Sequence, residues 1–161
     1  MALSTLKEFL DEHRVKYLTI SHSVSYTAAG IAALTHTPGR ELAKTVVVKV
    51  DGALAMAVVS AAQHVDLGQL KAVTGAQTVE LATEDEFKER FPDCEAGAMP
   101  PFGNLYGMPV FADESLSRDK EITFNAGSHR ELIRMAWEDF KTLVQPRLAR
   151  VAVAKHAIEA A

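Results

Sequence analysis

The chain has few of the features that usually announce a protein's chemistry. Its 161 residues contain one cysteine, Cys94. A single cysteine excludes an internal disulfide framework and a thiolate zinc cluster. Its neighbours Asp93 and Glu95 would raise the thiol pKa, the reverse of what a nucleophilic cysteine needs. No apolar run reaches the roughly 18 residues of a membrane-spanning helix. The N-terminus, MALSTLKEFLDEH, carries acids by residue 8 and shows no basic-then-apolar leader pattern. A cytoplasmic protein with no membrane partner is therefore expected. An excess of positive charge is also missing. Lys and Arg total 17 against 21 Asp and Glu, a net charge of −4. That excludes tight, salt-driven binding along a duplex, so no sequence-specific DNA partner is expected.

Several motifs are absent as well. There is no G-x-G-x-x-G after a strand and no G-x-x-x-x-G-K-[ST], so dinucleotide and P-loop readings have no support. Ser, His and Asp are all present, but no G-x-S-x-G nucleophile elbow exists. The six His are scattered, with no H-x-x-x-H pair on a helix, so neither a metal nor a cofactor is expected.

What is present is ordered local structure. Thr5 and Glu8 fit a capping box, with Leu6, Phe9 and Leu10 on the apolar face of the helix that follows. Tyr17 to Ile20 reads as a strand and Thr27 to Leu34 as a helix. KTVVVKVDGALAMAVVS reads as two strands, Lys44–Val50 and Ala53–Ser60, joined by a type I′ turn at Asp51-Gly52. Neither run alternates cleanly, so this hairpin is expected at the centre of the fold. Asp66 and Gln69 cap a helix that Gly75 closes. Gln77–Leu81 returns as a strand, and Thr83 with Glu86 forms a second capping box. A turn-rich loop runs from Asp93 to Pro109. Strands follow at Val110–Ala112 and Ile122–Asn125. Arg130–Met135 is ambiguous, and Trp137, Phe140, Leu143 and Val144 mark a helix that Pro146 ends. Residues 147–161 read as a helical, Ala-rich extension beyond a domain of residues 1–146. The irregular alternation favours an α+β domain on a mixed sheet over a doubly wound parallel one.

Three segments could carry chemistry. Lys44 sits at the mouth of the central strand, where an ammonium could meet a phosphate or polarise a carbonyl. It could equally be a solvated lysine guarding a strand end. The loop Gly97, Ala98, Met99, Pro100, Pro101, Phe102, Gly103 is stiffened by two prolines and opened by flanking glycines. Its N–H groups could serve as preorganised donors to an oxyanion. An ordinary tight loop reads the same way. Asn125-Ala126-Gly127-Ser128-His129 ends a strand and could hold His129 over a pocket, or form a plain surface turn. Tyr26, near the first strand, is a weaker candidate.

Four ordered blocks together resemble one family. ELAKTVVVKVDG (Glu41–Gly52), VELATEDEF (Val79–Phe87), GAMPPFGNLYGMPVF (Gly97–Phe111) and FNAGSHRELIRM (Phe124–Met135) look like the YbaK family of free-standing aminoacyl-tRNA deacylases. That family is similar to the editing domain inserted in bacterial prolyl-tRNA synthetases. The resemblance spans roughly residues 4–146. It implies a mixed, largely antiparallel, curved and barrel-like sheet flanked by helices. It also implies hydrolysis of the ester joining a wrong amino acid, such as Ala, Cys or Ser, to tRNA-Pro or a related tRNA. Lys44 matches the family's essential lysine. Gly97 and Pro101 match its G-x-x-x-P loop, and His129, with Gly127 and Ser128, its Gly-x-His turn. Some members carry Asn after the lysine; Thr45 stands there in this chain, so that contact does not carry over. The implied partners are the acceptor end of aminoacyl-tRNA and an aminoacyl-tRNA synthetase; the oligomeric state stays open. A non-catalytic module that binds a nucleotide, an aminoacyl group or a synthetase, and a small-ester hydrolase, are the competing readings.

Charge is unevenly spread. Residues 1–50 hold 6 basic and 4 acidic groups, and residues 51–120 hold 5 and 12. Arg40, Lys44 and Lys49 are expected around the site. Few phosphate contacts imply weak tRNA affinity with a shallow salt dependence.

Overall fold

The Asp51-Gly52 hairpin is the hub of the sheet. In the computed structural model, which describes residues 2–23 and 39–154, β2 (Leu42–Val50) and β3 (Ala53–Ser60) pair antiparallel from Val50↔Ala53 to Ala43↔Ser60. Asp51 has φ +50° and Gly52 φ +84°. Both central residues are thus left-handed, as a type I′ turn requires. Asp51 Oδ1 also accepts from the N–H groups of Gln77 and Thr78, each at 2.9 Å, tying the turn to the next strand.

Around this hub the order is β1-β8-β7-β2-β3-β6-β9, with β5 also pairing β2. The strands are β1 (Tyr17–Ser21), β5 (Val79–Leu81), β6 (Val110–Asp113), β7 (Glu121–Asn125), β8 (Glu131–Ala136) and β9 (Arg147–Ala149). β2/β7, β3/β6 and β6/β9 are parallel; the other pairings are antiparallel. A separate two-stranded sheet joins β4 (Gln63–Val65) to β10 (Ala152–Ala154). Among the described residues the α-helices are α1 (Ala2–Glu12), α2 (Leu67–Thr74), α3 (Glu84–Phe87) and α4 (Trp137–Val144). This is the expected α+β class on a mixed, mostly antiparallel sheet. No helix among the described residues is long and apolar enough to cross a membrane.

One side of the sheet holds the main core. Leu6 and Leu10, one helical turn apart on α1, are fully buried there beside Met56, Val58, Phe102, Phe124 and Phe140. Phe102 is central: its ring lies 5.4 Å from Phe124, 5.5 Å from Phe140 and 6.1 Å from Phe9. The opposite face of the hairpin packs Val48, Ala57 and Val59 against Leu70 of α2 and Val151. The hairpin is therefore covered on both sides, which explains its unbroken apolar runs.

The local capping signals hold at α2 and α3. Asp66 accepts from Gln69 N–H, Gly75 ends α2 at φ +70°, and Thr83 and Glu86 form the reciprocal box. Other expectations change. Helix α1 begins at Ala2, so Thr5 lies inside it and not at its N-cap. The ambiguous segment at 130–135 is strand β8, because it fills the slot between β7 and β1. Residues 147–154 are not helical. β9 pairs with β6, and β10 pairs with β4. Buried Asp113 holds the link between them: its Oδ1 accepts from Val151 N–H at 3.0 Å. Tertiary pairing overrides the helix preference of an Ala-rich stretch here. Tyr26, the helix expected at Thr27–Leu34 and residues 155–161 lie outside the described residues.

Candidate active site

The candidate site lies where the sheet splits. β2 has β3 along one edge, but two partial neighbours along the other. β7 pairs only with Leu42 and Ala43, and β5 only with Val48 to Val50. Thr123 N–H donates to Glu41 O at 3.1 Å, and Ala82 N–H donates to Val47 O at 3.0 Å. Odd-numbered residues of β2 therefore turn their main-chain groups to this edge. Thr45 is the odd-numbered residue between them, and neither β7 nor β5 pairs with it. Lys44, half-buried, sits beside the gap on the opposite face from Ala43.

β7 parts from β2 after Phe124, the partner of Ala43, while Asn125 still pairs with Leu132 of β8. Asn125, one residue beyond that last pair, falls on the same face as Lys44. The chain then turns through Gly127, at φ +101°. Ala126 N–H donates to Glu131 O at 3.0 Å and closes the turn into β8. This turn is clamped onto the loop at residue 97. Glu95 N–H donates to Gly127 O at 2.8 Å, and Gly127 N–H donates to Ala98 O at 2.9 Å. His129 Nε2 lies 2.7 Å from Ala96 O, and its N–H donates to Glu95 Oε1 at 3.4 Å. Gly97 has φ +82°, and a Cβ there would lie 3.5 Å from His129 Cε1. Gly97 and His129 thus form one unit, held by two reciprocal main-chain bonds.

The loop itself divides. Glu95, Ala96 and Gly97 are exposed, whereas Ala98, Met99, Pro100, Pro101, Phe102 and Gly103 are buried. Most of the expected donor loop is thus core. Ala98 N–H is already engaged by Glu95 O at 3.0 Å. Gly97 is the residue of the loop that faces outward. Gly103 serves packing: a Cβ there would overlap Met108 O and Val110 Cγ2. Behind the loop, Phe87, Phe91, Cys94 and Met99 wall a small cavity of about 50 Å³.

Among the expected residues, the structure brings Gly97, Gly127 and His129 together, and Ser128 Oγ accepts from Arg130 N–H at the turn's rim, 3.3 Å away. Lys44 and Thr45 flank the sheet gap next to Asn125. Arg40 and Lys49, the other expected charges, each pair with acids outside the cluster. Arg40 pairs with Asp119 at 3.7 Å. Lys49 lies at the far end of β2, 3.4 Å from Glu80 and 2.5 Å from Glu86. Its ammonium pulls the Glu86 carboxyl down to about 2. Burial pushes the Cys94 thiol up, with Asp93 adding to it against a hydrogen bond from Tyr106. The thiol is thus unsuited to attack, for a different leading reason than its neighbours' charge. Glu95, which contacts the turn, was not among the expected residues, and Asn125 was read only as the first residue of the candidate turn. No motif marks Glu95, and the only hint of Asn125 is its place at a strand end.

The aminoacyl-tRNA editing domain profile matches residues 22–143, and the chain belongs to that family. A structure of a proposed trans-editing enzyme for prolyl-tRNA synthetase superposes with a TM-score of 0.81 at 21% identity, covering 95% of this chain and 98% of that one. A hypothetical protein gives 0.83 at 19% identity, over 92% and 99%. At these identities the likeness is one of fold. Over 87 residues the chain is 31% identical to a proline–tRNA ligase of Bacillus mycoides (strain KBAB4), and equally to one of Bacillus cereus (strain AH187). These matches cover 54% of this chain and 15% of each ligase.

Proposed function

We propose that this protein is a trans-editing hydrolase that cleaves the ester of mischarged aminoacyl-tRNA. The observation that carries this reading is the clamped Gly97–His129 unit beside the sheet gap at Lys44. An aminoacyl ester is already activated, so positioning can do much of the work a protease leaves to its nucleophile. In this reading the exposed main chain at Gly97 meets the ester carbonyl as charge grows on its oxygen. Lys44 supplies a compact positive charge for the terminal phosphate or that carbonyl. His129 forms a wall of the amino-acid pocket, held through Ala96 O. Water attacks the carbonyl, the ester bond to the ribose breaks, and the ribose oxygen leaves with a proton. The free neighbouring ribose hydroxyl orients or activates that water. The side chain in this reading is a small one such as that of Ala, Cys or Ser, in keeping with the likeness to proline–tRNA ligases. A missing methylene is worth only about 1–3 kcal/mol, so larger amino acids are excluded better than smaller ones. The substrate's acceptor end is the partner this reading requires, and a synthetase is the partner that would hand it over.

The test is to incubate the protein with labelled Ala-, Cys- and Ser-tRNA-Pro and follow release of the amino acid. Turnover on at least one is expected, and Lys44→Ala is expected to lose on the order of 100-fold in kcat/KM. No turnover on any substrate would favour a binding module. Equal cleavage of simple esters that lack tRNA would favour a general small-ester hydrolase.

A further inference from the structure

Asn125 is a buried polar side chain with no apparent task. It is 8% exposed, and its Oδ1 is buried without a hydrogen-bond partner. Its neighbours on β7 contrast with it: buried Thr123 accepts from Arg134 Nε at 3.1 Å. Nine in ten buried polar groups find a partner, so an orphaned amide oxygen needs an explanation. Leaving it unpaired costs free energy, and an apolar residue would fit a strand end at lower cost.

Its place supplies the explanation. Asn125 is the last residue of β7, the residue after the final β7–β2 pair, Ala43↔Phe124. By the alternation of side chains along the strands it lies on the face that Lys44 shares, at the point where β7 parts from β2. Two residues on, Gly127 is bonded to the loop that holds Gly97. The orphan acceptor thus lies between the charge at Lys44 and the Gly97–His129 unit.

An amide oxygen accepts and cannot donate, so its ligand must carry an N–H or O–H. Within the editing reading, on which this inference rests, the reacting end of the substrate offers two such groups. One is the α-ammonium of the amino acid; the other is the free hydroxyl of the terminal ribose. An ammonium beside Lys44 meets a like charge, whereas a neutral hydroxyl does not. We infer that Asn125 is a positioning residue whose Oδ1 accepts a hydrogen bond from the free ribose hydroxyl next to the ester. That bond fixes the hydroxyl's rotation, turning its oxygen lone pairs toward the water that attacks the carbonyl. No proton passes to Asn125.

The test is a cycle of two deletions. Wild type and Asn125→Ala are assayed in single turnover on mischarged tRNA ending in adenosine. Both are also assayed on the same tRNA ending in 2′-deoxyadenosine, with the amino acid on the 3′ oxygen. On the ribose substrate Asn125→Ala is expected to slow hydrolysis on the order of 10- to 100-fold. On the deoxy substrate the two proteins are expected to agree within about twofold, since the bond's other partner is gone. Asn125→Asp keeps an acceptor and is expected to recover most of the lost rate on the ribose substrate. A loss of equal size on both substrates would overturn the inference, and so would Asp performing no better than Ala. Thermal unfolding of each variant identifies any that fails to fold, and Asn125→Ser then replaces Ala in the cycle. If wild type hydrolyses neither substrate, the editing reading falls and this role falls with it. If wild type turns over and the losses are additive, only this role falls.

Discussion

Gly97 and Gly103 bound the same seven-residue loop, yet they do different work. Gly97 is exposed, left-handed at φ +82°, and stands against His129. Gly103 is buried, and no side chain fits between Met108 O and Val110 Cγ2. One glycine is needed for its backbone angle and its open face, the other for close approach of two chain segments. Between them Phe102 anchors the loop in the aromatic core. The loop thus has a rigid inner half and a short working rim. The rim gains precision because the inner half cannot move without disturbing the core.

Substitutions can test that division. The largest effect is expected from Gly103→Ala, which overpacks a filled space and should destabilise the fold by about 3 kcal/mol. Chemical denaturation measures it, and deacylation per folded molecule should stay within about threefold. If Gly103→Ala instead spares stability and abolishes activity, the two glycines have been assigned the wrong way round. Gly97→Ala comes next, with the opposite profile. Its strained angle costs about 1 kcal/mol, but the added methyl faces His129, so deacylation should drop roughly tenfold. A smaller effect is expected from Glu95→Gln, which weakens the 3.4 Å bond to His129 N–H on the rim. A rate loss of about two- to threefold with an unchanged unfolding midpoint would fit, since a long, exposed bond contributes little. The smallest effect lies far from the loop, at Glu86. Its carboxyl is held near 2 by Lys49, below its ordinary 4.5. A group whose folded pKa is depressed stabilises the protein above its unfolded pKa and loses that stabilisation as pH falls through the folded one. Stability should therefore decline between about pH 4.5 and 2, and Glu86→Gln should flatten that limb slightly. Both proteins should deacylate equally at pH 7; a difference there would place the Lys49 end of β2 in the site.

Local signals were the most legible part of the sequence. The Asp51-Gly52 turn, the Asp66 and Thr83 caps and the Trp137–Val144 helix depend on residues within a turn or two of each other, and each stands as read. The C-terminal stretch shows the limit. Alanines at 149, 152 and 154 favour a helix locally, but β6, β4 and the Asp113 carboxylate are sequence-distant partners that favour strands. The site divides in the same way. Lys44, Gly97 and His129 were visible as motif positions. That Met99 and Phe102 face inward was not, because a Pro-Pro loop reads alike whether its side chains point to solvent or core. Asn125 was visible only as a strand end. Its significance depends on β7 departing from β2 at that residue, which no local pattern encodes. Arg40 and Lys49 looked like site charges by proximity in sequence, but their partners Asp119, Glu80 and Glu86 come from other elements.

The break in pairing along β2 also bears on how the protein breathes. A central strand is ordinarily the slowest part of a sheet to exchange its amide hydrogens, because both neighbours must separate first. Among the described residues, Thr45 is in a central strand with no ladder partner on the side its main chain faces. Its amide should exchange with deuterium far sooner than those of Val47 or Val48, only a few residues away. An early-exchanging amide fixed within an otherwise slow strand would mark the one point of β2 where an incoming chain could find a main-chain donor and acceptor without local unfolding.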